Sequence, residues 1–491
     1  MEDSTINYEQ IMKLALERGF YFPSCEVYPD TPAGFWEYGP NGVSLKNKFI
    51  ELWRRELVRR DEMLEIDGSQ IMAKPVFEAS GHLASFADPI VKCTKCNSIY
   101  RADKMLAEVA NIVVPESAPL HEFDDEIEKH HIVCTKCKGK LGKVGKFNMM
   151  FKVGIGPEGE DAYLRPETCQ SLFVDFPRVF KTMRGKLPVG LAQIGKSFRN
   201  EISPRQSLLR LREFYQAEIE VFLNPNKLND VERFSQIENT HLNLMLDEKT
   251  VQTVTAKKAV ESGMIPNKIV AYYLSLLVEF YQKTGIDVKR SRFRMLGAKE
   301  KAFYASVAFD FEVETTTGWL ELVACNYRSD YDLKAHAEKS KANFEVMDGE
   351  EKVLPHIFEL SMGIDRSLYT MIEHTIRFDK ENERTLLSLK PYLAPVHVGI
   401  LPLMKKDGLY EKADGIFLML NRKYDAFFDA SGAVGRRYRR LDEIGAPLAI
   451  TVDYQTMEDD TVTIRKRDSM SQERIKISDI EAAVAKEVAY P

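Results

Sequence analysis

One short stretch of the chain combines residues that can hold a nucleotide. Arg199 and Glu201 lie two positions apart in "GKSFRNEISPR", and Phe214 follows on the next strand-like stretch. A guanidinium binds two phosphate oxygens and keeps its charge, a carboxylate accepts from a base amino group, and an aromatic ring stacks on a purine. Taken alone, a salt-bridged surface hairpin is the better interpretation. A further arginine after an apolar strand, Arg366 in "FELSMGIDRSLY", favours the nucleotide site.

No standard phosphate-binding or nucleophile motif accompanies these arginines. The sequence contains no G-x-x-x-x-G-K-[ST] loop, no G-x-S-x-G elbow and no convincing Ser/His/Asp order. Side-chain arginines must therefore hold any phosphate. Because residues two apart on a strand face the same side, we expect Arg199 and Glu201 to share one face of a sheet.

Four cysteines form two C-x-x-C pairs in a lysine-rich segment: Cys93 with Cys96, and Cys134 with Cys137. Four thiolates at this spacing can close a tetrahedral zinc site, and such a zinc is structural because no ligand position stays open. The histidines at 130–131 are an alternative ligand source, although an exposed charge cluster is the simpler interpretation. The remaining cysteines are more typical of small buried residues than of nucleophiles: Cys25, Cys169 and Cys325.

The composition is that of a folded chain with more than one domain. Its 491 residues exceed one ordinary core, so we expect two to four domains. A net charge of −6 argues against wholesale nucleic-acid coating but allows a local basic patch. The acidic, amphipathic start is not a signal peptide, and no apolar stretch approaches the length of a membrane span. We therefore expect a cytoplasmic protein.

Alternating apolar stretches predict an antiparallel sheet that positions the candidate residues. Helices are expected at 46–60 and 269–285, and residues 396–491 alternate strands and helices as in a separate α/β domain. The predicted fold class is α+β, with an antiparallel core interrupted by insertions and followed by a C-terminal α/β module. The strand candidates are 63–73, ending before Pro75, 163–176, 303–315, 318–325, 354–364 and the two arms around the opening stretch.

These stretches, in this order, resemble class II aminoacyl-tRNA synthetases. Residues 198–222 resemble motif 2, residues 357–369 resemble motif 3, and the helix at 46–60 with the following strand and Pro75 resembles motif 1. An ordered set of signatures over nearly the whole chain is more narrowly similar to glycyl-tRNA synthetases of the homodimeric, archaeal and eukaryotic kind, in subclass IIa. The signatures are "WEYGPNGVSLKN", "ASGH", "YLRPETCQS", "FRNEISPR", "GWLELVACNYRSDYDLKAH" and "GRRYRRLDEIGAPLAITVDYQTMEDDTVTIRKRD".

The resemblance implies a catalytic core in three pieces, two insertions and an anticodon-binding domain. Motif 1 carries the dimer interface in this class, so a homodimer is expected. The implied divisions are 1–91 (core with motif 1), 92–145 (zinc-knuckle insertion), 146–224 (core with motif 2), 225–300 (mainly helical insertion), 301–388 (core with motif 3) and 389–491 (anticodon-binding domain).

The implied activity is that of a glycine--tRNA ligase. Glycine and ATP would give glycyl-adenylate and pyrophosphate, and the glycyl group would pass to the 3′ end of tRNA(Gly). Mg²⁺ would accompany ATP, and a structural Zn²⁺ would bind the cysteines. Reaction of the adenylate with a second ATP, giving diadenosine tetraphosphate, is an implied side activity.

The resemblance assigns the nucleotide contacts residue by residue. Arg199 would contact the α-phosphate and Glu201 the adenine amino group. Adenine would lie between Phe214 and Arg366, and Arg366 would also meet the γ-phosphate. Glu321 would help to hold Mg²⁺. The remaining implied ATP-site residues are Asn200, Arg210, Leu211 and Leu322.

Glycine has no side chain to recognise, so selection must work by exclusion. An extra methylene in a permissive pocket changes binding by only about 1–3 kcal/mol. Acidic side chains can hold the ammonium while they occupy the space of a Cβ. The glycine-site residues that the resemblance implies are Arg101, Glu167, Glu218, Glu359 and Ser361.

Two basic runs in the C-terminal module suggest contact with the tRNA. Residues 435–440 and 465–467 interleave arginines with Tyr438, and loop bases stack on aromatics while arginines meet phosphates. A basic run is more often a solvated face, but these two lie in one module of an acidic chain. The predicted tRNA-binding residues are Arg436, Arg437, Arg439 and Arg440.

Some residues depart from the family pattern, and three alternatives remain. Leu360 replaces a usual proline, and Ala324, Asn326 and Tyr327 replace a run of small residues near the ATP site. The alternatives are a subclass IIa synthetase for serine, threonine or proline, a non-catalytic synthetase-like binding protein, and a zinc-ribbon RNA binder. The last explains only residues 92–140.

Overall fold

The strand candidates around Arg199 and Arg366 are neighbours in one sheet. The computed structural model describes residues 6–115, 118–204, 206–247, 249–297, 300–301 and 304–491. Within these ranges the central sheet has nine strands. The predicted α+β class with an antiparallel core is confirmed.

The N-terminal part supplies the long helix predicted for motif 1. That helix continues into a π-helical turn at Arg54–Val58 and buries Phe49, Leu52 and Trp53. The predicted strand at 63–73 is two short strands, which belong to different sheets. The elements are α1 (Tyr8–Glu17), β1 (Tyr21–Pro23), β2 (Trp36–Tyr38), α2 (Pro40–Trp53), β3 (Leu64–Glu65), β4 (Ile71–Ala73), α3 (Lys74–Ala79) and α4 (His82–Ser85).

The cysteine-containing segment has a small sheet and a core of its own. Two helices pack on its three strands and bury Leu106 and Phe123. The elements are β5 (Ala87–Lys92), β6 (Ile99–Arg101), α5 (Ala102–Ala110), α6 (Leu120–Lys129) and β7 (Gly145–Asn148).

The next segment carries the two strands of motif 2. The prediction of a strand over 163–176 is wrong beyond Leu164, because residues 169–182 form a helix. Its buried residues Cys169, Leu172, Phe173 and Phe176 have helical spacing. The elements are β8 (Lys152–Ile155), β9 (Glu160–Leu164), α7 (Cys169–Thr182), β10 (Val189–Phe198) and β11 (Glu213–Leu223).

Residues 225–300 are part of the core and not a separate helical insertion. The predicted long helix is confirmed, but three strands of this segment lie in the central sheet. The sequence analysis missed these strands because they have only five residues each. The elements are β12 (His241–Met245), β13 (Val251–Thr255), α8 (Ala256–Glu261), α9 (Lys268–Thr284) and β14 (Ser291–Met295).

The motif 3 region adds three long strands, as predicted. A helix follows the last of them directly and contains Arg366 in its first turn. The elements are β15 (Val307–Thr315), β16 (Gly318–Ser329), α10 (Tyr331–Ser340), β17 (Val346–Asp348), β18 (Glu351–Val353), β19 (His356–Gly363), α11 (Ile364–Thr375), β20 (Ile376–Asp379) and β21 (Arg384–Leu387).

Strand order in the central sheet brings motifs 2 and 3 side by side. The order is β13-β12-β14-β15-β16-β19-β11-β10-β3. All neighbours are antiparallel except β12 with β14 and β10 with β3. The long helix α9 is largely buried in the main core of the chain.

The C-terminal α/β module is also confirmed. Its five strands have the order β23-β22-β24-β25-β26, with the first three parallel. The elements are β22 (Val398–Pro402), α12 (Leu409–Leu420), β23 (Ala426–Phe428), α13 (Val434–Ile444), β24 (Leu448–Val452), α14 (Tyr454–Asp459), β25 (Thr461–Lys466), β26 (Gln472–Lys476) and α15 (Ile480–Glu487).

Candidate active site

Arg199 lies just beyond the end of β10, so the expectation that it shares a strand face with Glu201 is wrong. Both residues are in the loop that follows, where Glu201 N donates to Arg199 O at 2.6 Å. Arg199 Nε donates to Pro166 O at 3.1 Å, and the guanidinium lies 5.5 Å from the Phe86 ring and 5.4 Å from the Phe214 ring. No carboxylate in the described part of the chain forms an ion pair with Arg199. Its charge is available for an anionic ligand.

Arg212 holds the backbone around these residues, a role that the sequence analysis missed. Its side chain donates to Glu201 O at 3.0 Å and to Ala33 O at 2.8 Å. Its carbonyl accepts from Arg199 N at 2.9 Å, and its own N–H donates to Gly34 O at 2.9 Å. Arg212 therefore ties the motif 2 loop to the N-terminal segment. Arg205, at the end of the stretch "GKSFRNEISPR", lies outside the described residues.

Arg366 and Glu321 come together although β16 and α11 are far apart in sequence. Arg366 Nη1 donates to the Glu321 carbonyl at 3.0 Å and approaches its carboxylate at 3.4 Å, and Nε donates to Leu209 O at 3.2 Å. Both side chains remain partly exposed, at 33% and 44%. Arg210 Nε lies 4.0 Å from the Glu201 carboxylate. Because Leu209 and Arg210 are neighbours in the chain, these contacts connect the Arg366–Glu321 pair to the motif 2 loop.

Two other predicted ATP-site residues belong to the core. The side chains of Leu211 and Leu322 are buried in the main hydrophobic cluster. Only their backbone can meet a nucleotide. Asn200, by contrast, is partly exposed, and its N–H donates to Met149 O at 2.8 Å.

A second carboxylate accompanies Glu321. The pKa of Asp310 is raised to about 8, mainly by burial and secondly by the charge of Glu321. The guanidinium of Arg294, at 3.4 Å, opposes this rise. Burial is the main cause of this rise, and a cation bound nearby would favour the ionised form. Sequence reasoning missed Asp310, although the alternation on β15 places it beside β16.

Three of the predicted glycine residues share one face of the sheet because of strand register: Glu218, Glu359 and Ser361. Glu218 on β11 is directly opposite Ser361 on β19, and Glu220 is opposite Glu359. Asn326 on β16 is the partner of Glu359 from the other side. Directly opposed residues of antiparallel strands project to the same face.

Glu218 is fully buried and accepts three hydrogen bonds from side chains. Its carboxylate accepts from Thr168 Oγ1 at 2.5 Å, from Ser361 Oγ at 2.8 Å and from Gln216 Nε2 at 2.7 Å. Burial raises the pKa of Glu218 to about 7, and the charges of Glu167 and Glu359 contribute to this rise. The carboxylate is therefore poised to gain from a nearby cation.

Glu167 and Glu359 have nitrogen-containing side-chain partners that sequence reasoning missed. His82 Nε2 lies 3.3 Å from Glu167, and Arg328 Nη1 donates to Glu359 at 2.9 Å. Burial alone would raise the pKa of Glu167, but His82 and Arg328 hold it well below its ordinary value. Glu359 also accepts from Asn326 Nδ2 at 2.6 Å.

Arg101, also predicted to contact glycine, forms ion pairs outside the central sheet. It ends β6 of the small sheet, and its guanidinium lies 3.1 Å from Asp88 and 2.7 Å from Asp103. These acidic partners compensate its charge. The pairing offers no direct support for a role at glycine.

The four predicted metal ligands converge. All four Sγ atoms lie within 4.8 Å of one another. Cys93 and Cys137 are 3.6 Å apart, as are Cys96 and Cys134. The hydroxyl of Tyr100 lies 3.1 Å from Cys134 Sγ.

The arginines predicted to bind tRNA have different environments. Arg436 is exposed, but Arg437 is buried and donates to the carbonyls of Gly432 and Pro402. The prediction that Arg437 contacts tRNA is therefore wrong, because its guanidinium is part of the interior. Arg440 binds the Asp429 carboxylate and Arg439 donates to a backbone carbonyl.

The second basic run is also structural. Arg465 forms a two-pronged ion pair with Asp442, and Arg467 donates to the carbonyls of Gly445 and Leu389. The ring of Tyr438, which the sequence suggested for base stacking, lies 4.8 Å from the Arg465 guanidinium. Charge count alone could not separate these buried arginines from a surface patch. The helices that the structure describes include none long and apolar enough to cross a bilayer.

Comparisons with known proteins agree with this geometry. A family model described as "tRNA synthetase class II core domain (G, H, P, S and T)" matches residues 151–375, and one described as "Anticodon binding domain" matches residues 397–487. A solved structure titled as the RNA binding domain of threonyl-tRNA synthetase from Cryptosporidium parvum is 18% identical. It has a TM-score of 0.59 and covers 98% of each chain, which is a likeness of fold.

Curated relatives match nearly the whole chain. A protein of Methanothrix thermoacetophila named "Glycine--tRNA ligase" is 40% identical and covers 96% of this chain and 95% of its own. Proteins with the same name from Methanocaldococcus jannaschii and Methanothermobacter thermautotrophicus are 38% and 36% identical. They cover 96% and 97% of this chain and 97% and 98% of their own.

Proposed function

The chain belongs to the glycine--tRNA ligase family of class II aminoacyl-tRNA synthetases, and we propose that its cleft joins glycine to ATP and then to tRNA(Gly). The observation that carries this proposal is that an acidic pocket and an unpaired arginine lie on adjacent parts of the sheet. A buried acidic pocket surrounds Glu218, and Arg199 lies in the loop that continues the adjacent strand β10. One end suits an ammonium group and the other a phosphate.

Adenylate formation needs positioning more than covalent help from the protein. The glycine carboxylate attacks the α-phosphorus of ATP, the bond to the β-phosphate oxygen breaks, and pyrophosphate leaves. Arg199, which has no ion-pair partner among the described carboxylates, stabilises the charge that develops on the α-phosphate. Arg366 and Phe214 hold the adenine, and Glu201 accepts from its amino group.

Selection of glycine rests on a network that leaves the acidic wall little freedom to move. Thr168, Ser361 and Gln216 all bind Glu218 and keep its carboxylate in place. A larger amino acid would have to displace these bonded groups. Leaving a buried carboxylate unsatisfied costs about 1–3 kcal/mol or more, so the network opposes a Cβ.

Glu321 and Asp310 are the residues that would hold Mg²⁺ on the nucleotide. The charges of Asp310 and Glu321 interact, and two neighbouring carboxylates offer the oxygen ligands that Mg²⁺ prefers. The ion, when bound, neutralises the charge of the phosphate chain. Glu321 also positions Arg366 through the contact described above.

The cysteine cluster has the dimensions of a zinc site. Zinc–sulfur bonds of about 2.3 Å in a tetrahedron imply sulfur–sulfur distances of about 3.8 Å. The Cys93–Cys137 and Cys96–Cys134 distances of 3.6 Å agree with this value. We assign the cluster to structural Zn²⁺, which would connect the two knuckles across the long insert between them.

The surface around the cysteines is better suited to tRNA than the arginine helix. Seven lysines of this surface are exposed, and none of them forms an ion pair with a carboxylate in the ranges that the structure describes. The segment adjoins the motif 2 loop, because Asn200 N bonds to Met149 O. Phosphates of the incoming tRNA end would meet this surface. The lysines are Lys92, Lys95, Lys136, Lys138, Lys140, Lys143 and Lys146.

A homodimer fits the edge position of β3 in the motif 1 region. This strand is last in the sheet order, so its outer edge has no partner strand among the described residues. A second copy of the chain would cover an edge that otherwise invites aggregation. A cytoplasmic location and the synthesis of diadenosine tetraphosphate belong to the same proposal and rest on the family alone.

Amino-acid-dependent exchange between ATP and pyrophosphate tests the function. With the twenty amino acids supplied one at a time, we expect exchange with glycine only. Equal exchange with alanine or serine would contradict the assignment. Absence of exchange with every amino acid would favour a non-catalytic, synthetase-like binding protein.

A further inference from the structure

Glu220 is a buried carboxyl for which the mechanism above has no use. It lies two residues after Glu218 on β11, projects to the same face and has no exposed surface. Both of its carboxyl oxygens are buried, and neither has a hydrogen-bond partner among the described residues. Glu218, by contrast, accepts three hydrogen bonds.

The groups that face Glu220 are mostly acidic. Glu359 lies directly opposite on β19, and Glu218 is its neighbour on β11. Arg328 on β16 is the cation of the cluster. Asp332 on α10 and the thiol of Cys169 on α7 complete the surroundings.

Arg328 forms no hydrogen bond with Glu220, because its bonds go to other carboxylates. Its Nε and Nη2 donate to Asp332 at 2.7 and 2.8 Å, and its Nη1 donates to Glu359 at 2.9 Å. An ionised carboxylate buried without a donor is strongly disfavoured, and it takes up a proton instead. Burial raises the pKa of Glu220 well above its ordinary value, and the charge of Glu359 adds to the rise.

A proton fits this cluster better than a metal ion does. One oxygen each of Glu220 and Glu359 and the sulfur of Cys169 lie within 4.8 Å of one another. However, Glu359 already accepts from Asn326 and Arg328, and burial raises the pKa of the Cys169 thiol well above its ordinary value. A cation would have to displace these donors and ionise the thiol. A single proton requires neither change.

We propose that Glu220 is a neutral, protonated acid that lies beneath the glycine pocket and positions Glu359 through its O–H group. This inference rests on the proposed function for the identity of the ligand above it. With Glu220 neutral, the pocket has one negative charge fewer. Glu218 can then ionise near neutral pH and meet the glycine ammonium.

Infrared difference spectroscopy tests the proton directly and needs no activity. Spectra of the full-length wild-type protein and the E220Q variant are compared in D₂O at neutral pH. We expect the wild type to show a carbonyl band of a protonated carboxylic acid that E220Q lacks. Loss of an ionised carboxylate band instead would overturn the proposal. Because neither outcome depends on turnover, this result is separable from a failure of the ligase assignment.

Exchange kinetics with two variants test the positioning role. E220Q retains a neutral donor, and we expect its KM for glycine to stay within about threefold of wild type. E220L removes the donor, and its KM for glycine should rise about tenfold while its KM for ATP is unchanged. Equal impairment of both variants would show that a charge is required, and a normal E220L would show that no positioning occurs. If E220L fails to fold, as judged by thermal unfolding, the infrared comparison still decides.

Discussion

In the function proposed above, the two ends of the cleft recognise their ligands by different means. At the glycine end, carboxylates are buried and bonded to the surrounding side chains, as with Glu218 and its three donors. At the nucleotide end, Arg199 and Arg366 contact backbone carbonyls, and Arg199 has no ion-pair partner among the described carboxylates. A ligand without a side chain needs a fixed wall to exclude competitors. A ligand with many charges needs free cations.

Removal of Arg199 should give the largest effect. We expect Arg199→Ala to lower the rate of ATP–pyrophosphate exchange by about a hundredfold to a thousandfold, because the α-phosphate loses its stabilising charge. Binding of tRNA, measured by filter retention, should persist. Arg178→Ala, which removes an exposed arginine on α7, is the control. Equal loss of exchange and tRNA binding would make Arg199 a structural residue.

Neutralisation of Glu218 should weaken the binding of glycine and leave the binding of ATP unchanged. Glu218→Gln keeps the shape but loses the charge, so the KM for glycine should rise about a hundredfold. The KM for ATP should remain close to wild type in the same exchange assay. Glu351→Gln, on the exposed hairpin of β17 and β18, is the matched control. A parallel rise in both KM values would remove the distinction between the two ends.

The glycine end should also have its own pH dependence. The pKa of Glu218 is raised to about 7, and only its ionised form binds an ammonium. The ratio kcat/KM for glycine should therefore increase about tenfold per pH unit below this value and level off above it. Measurement of exchange between pH 5.5 and 8.5 under saturating ATP, in steps of about half a unit, tests this. A flat profile would show that Glu218 is ionised throughout.

Substitution of Arg212 should have a smaller effect, confined to the binding of ATP. It ties Glu201 and Arg199 to the N-terminal segment, so Arg212→Ala should loosen the adenine contact and raise the KM for ATP about fivefold. The KM for glycine should not change. Calorimetric titration with ATP provides an independent measure. A change confined to glycine would contradict the role given to Arg212.

Sequence pattern predicted the arrangement of residues around Glu218 better than the arrangement around Arg199. Alternation along β11 places Glu218 and Glu220 on one face, and the register with β19 brings Ser361 and Glu359 opposite them. Arg199 lies in a loop, where the period-two rule for strands no longer applies. The donors that tune the pocket were not predictable, because long-range packing brings His82 and Arg328 to it.

The basic runs of the C-terminal domain show the same limit. Arg436 and Arg437 are adjacent in sequence, yet one is exposed and the other donates to interior carbonyls. Helical periodicity distinguishes faces but does not show which face packs on the sheet. The buried ion pair between Arg465 and Asp442 likewise depends on the contact of β25 with α13.

A structure with a non-hydrolysable analogue of glycyl-adenylate tests the central claim most directly. We predict that the ammonium lies within about 3 Å of the Glu218 carboxylate and that the phosphate mimic lies within about 3 Å of the Arg199 guanidinium. The acidic side chains should keep the positions that they have without ligand. An analogue bound with its ammonium outside the Glu218 pocket, or with Arg199 turned away from the phosphate mimic, would contradict this account.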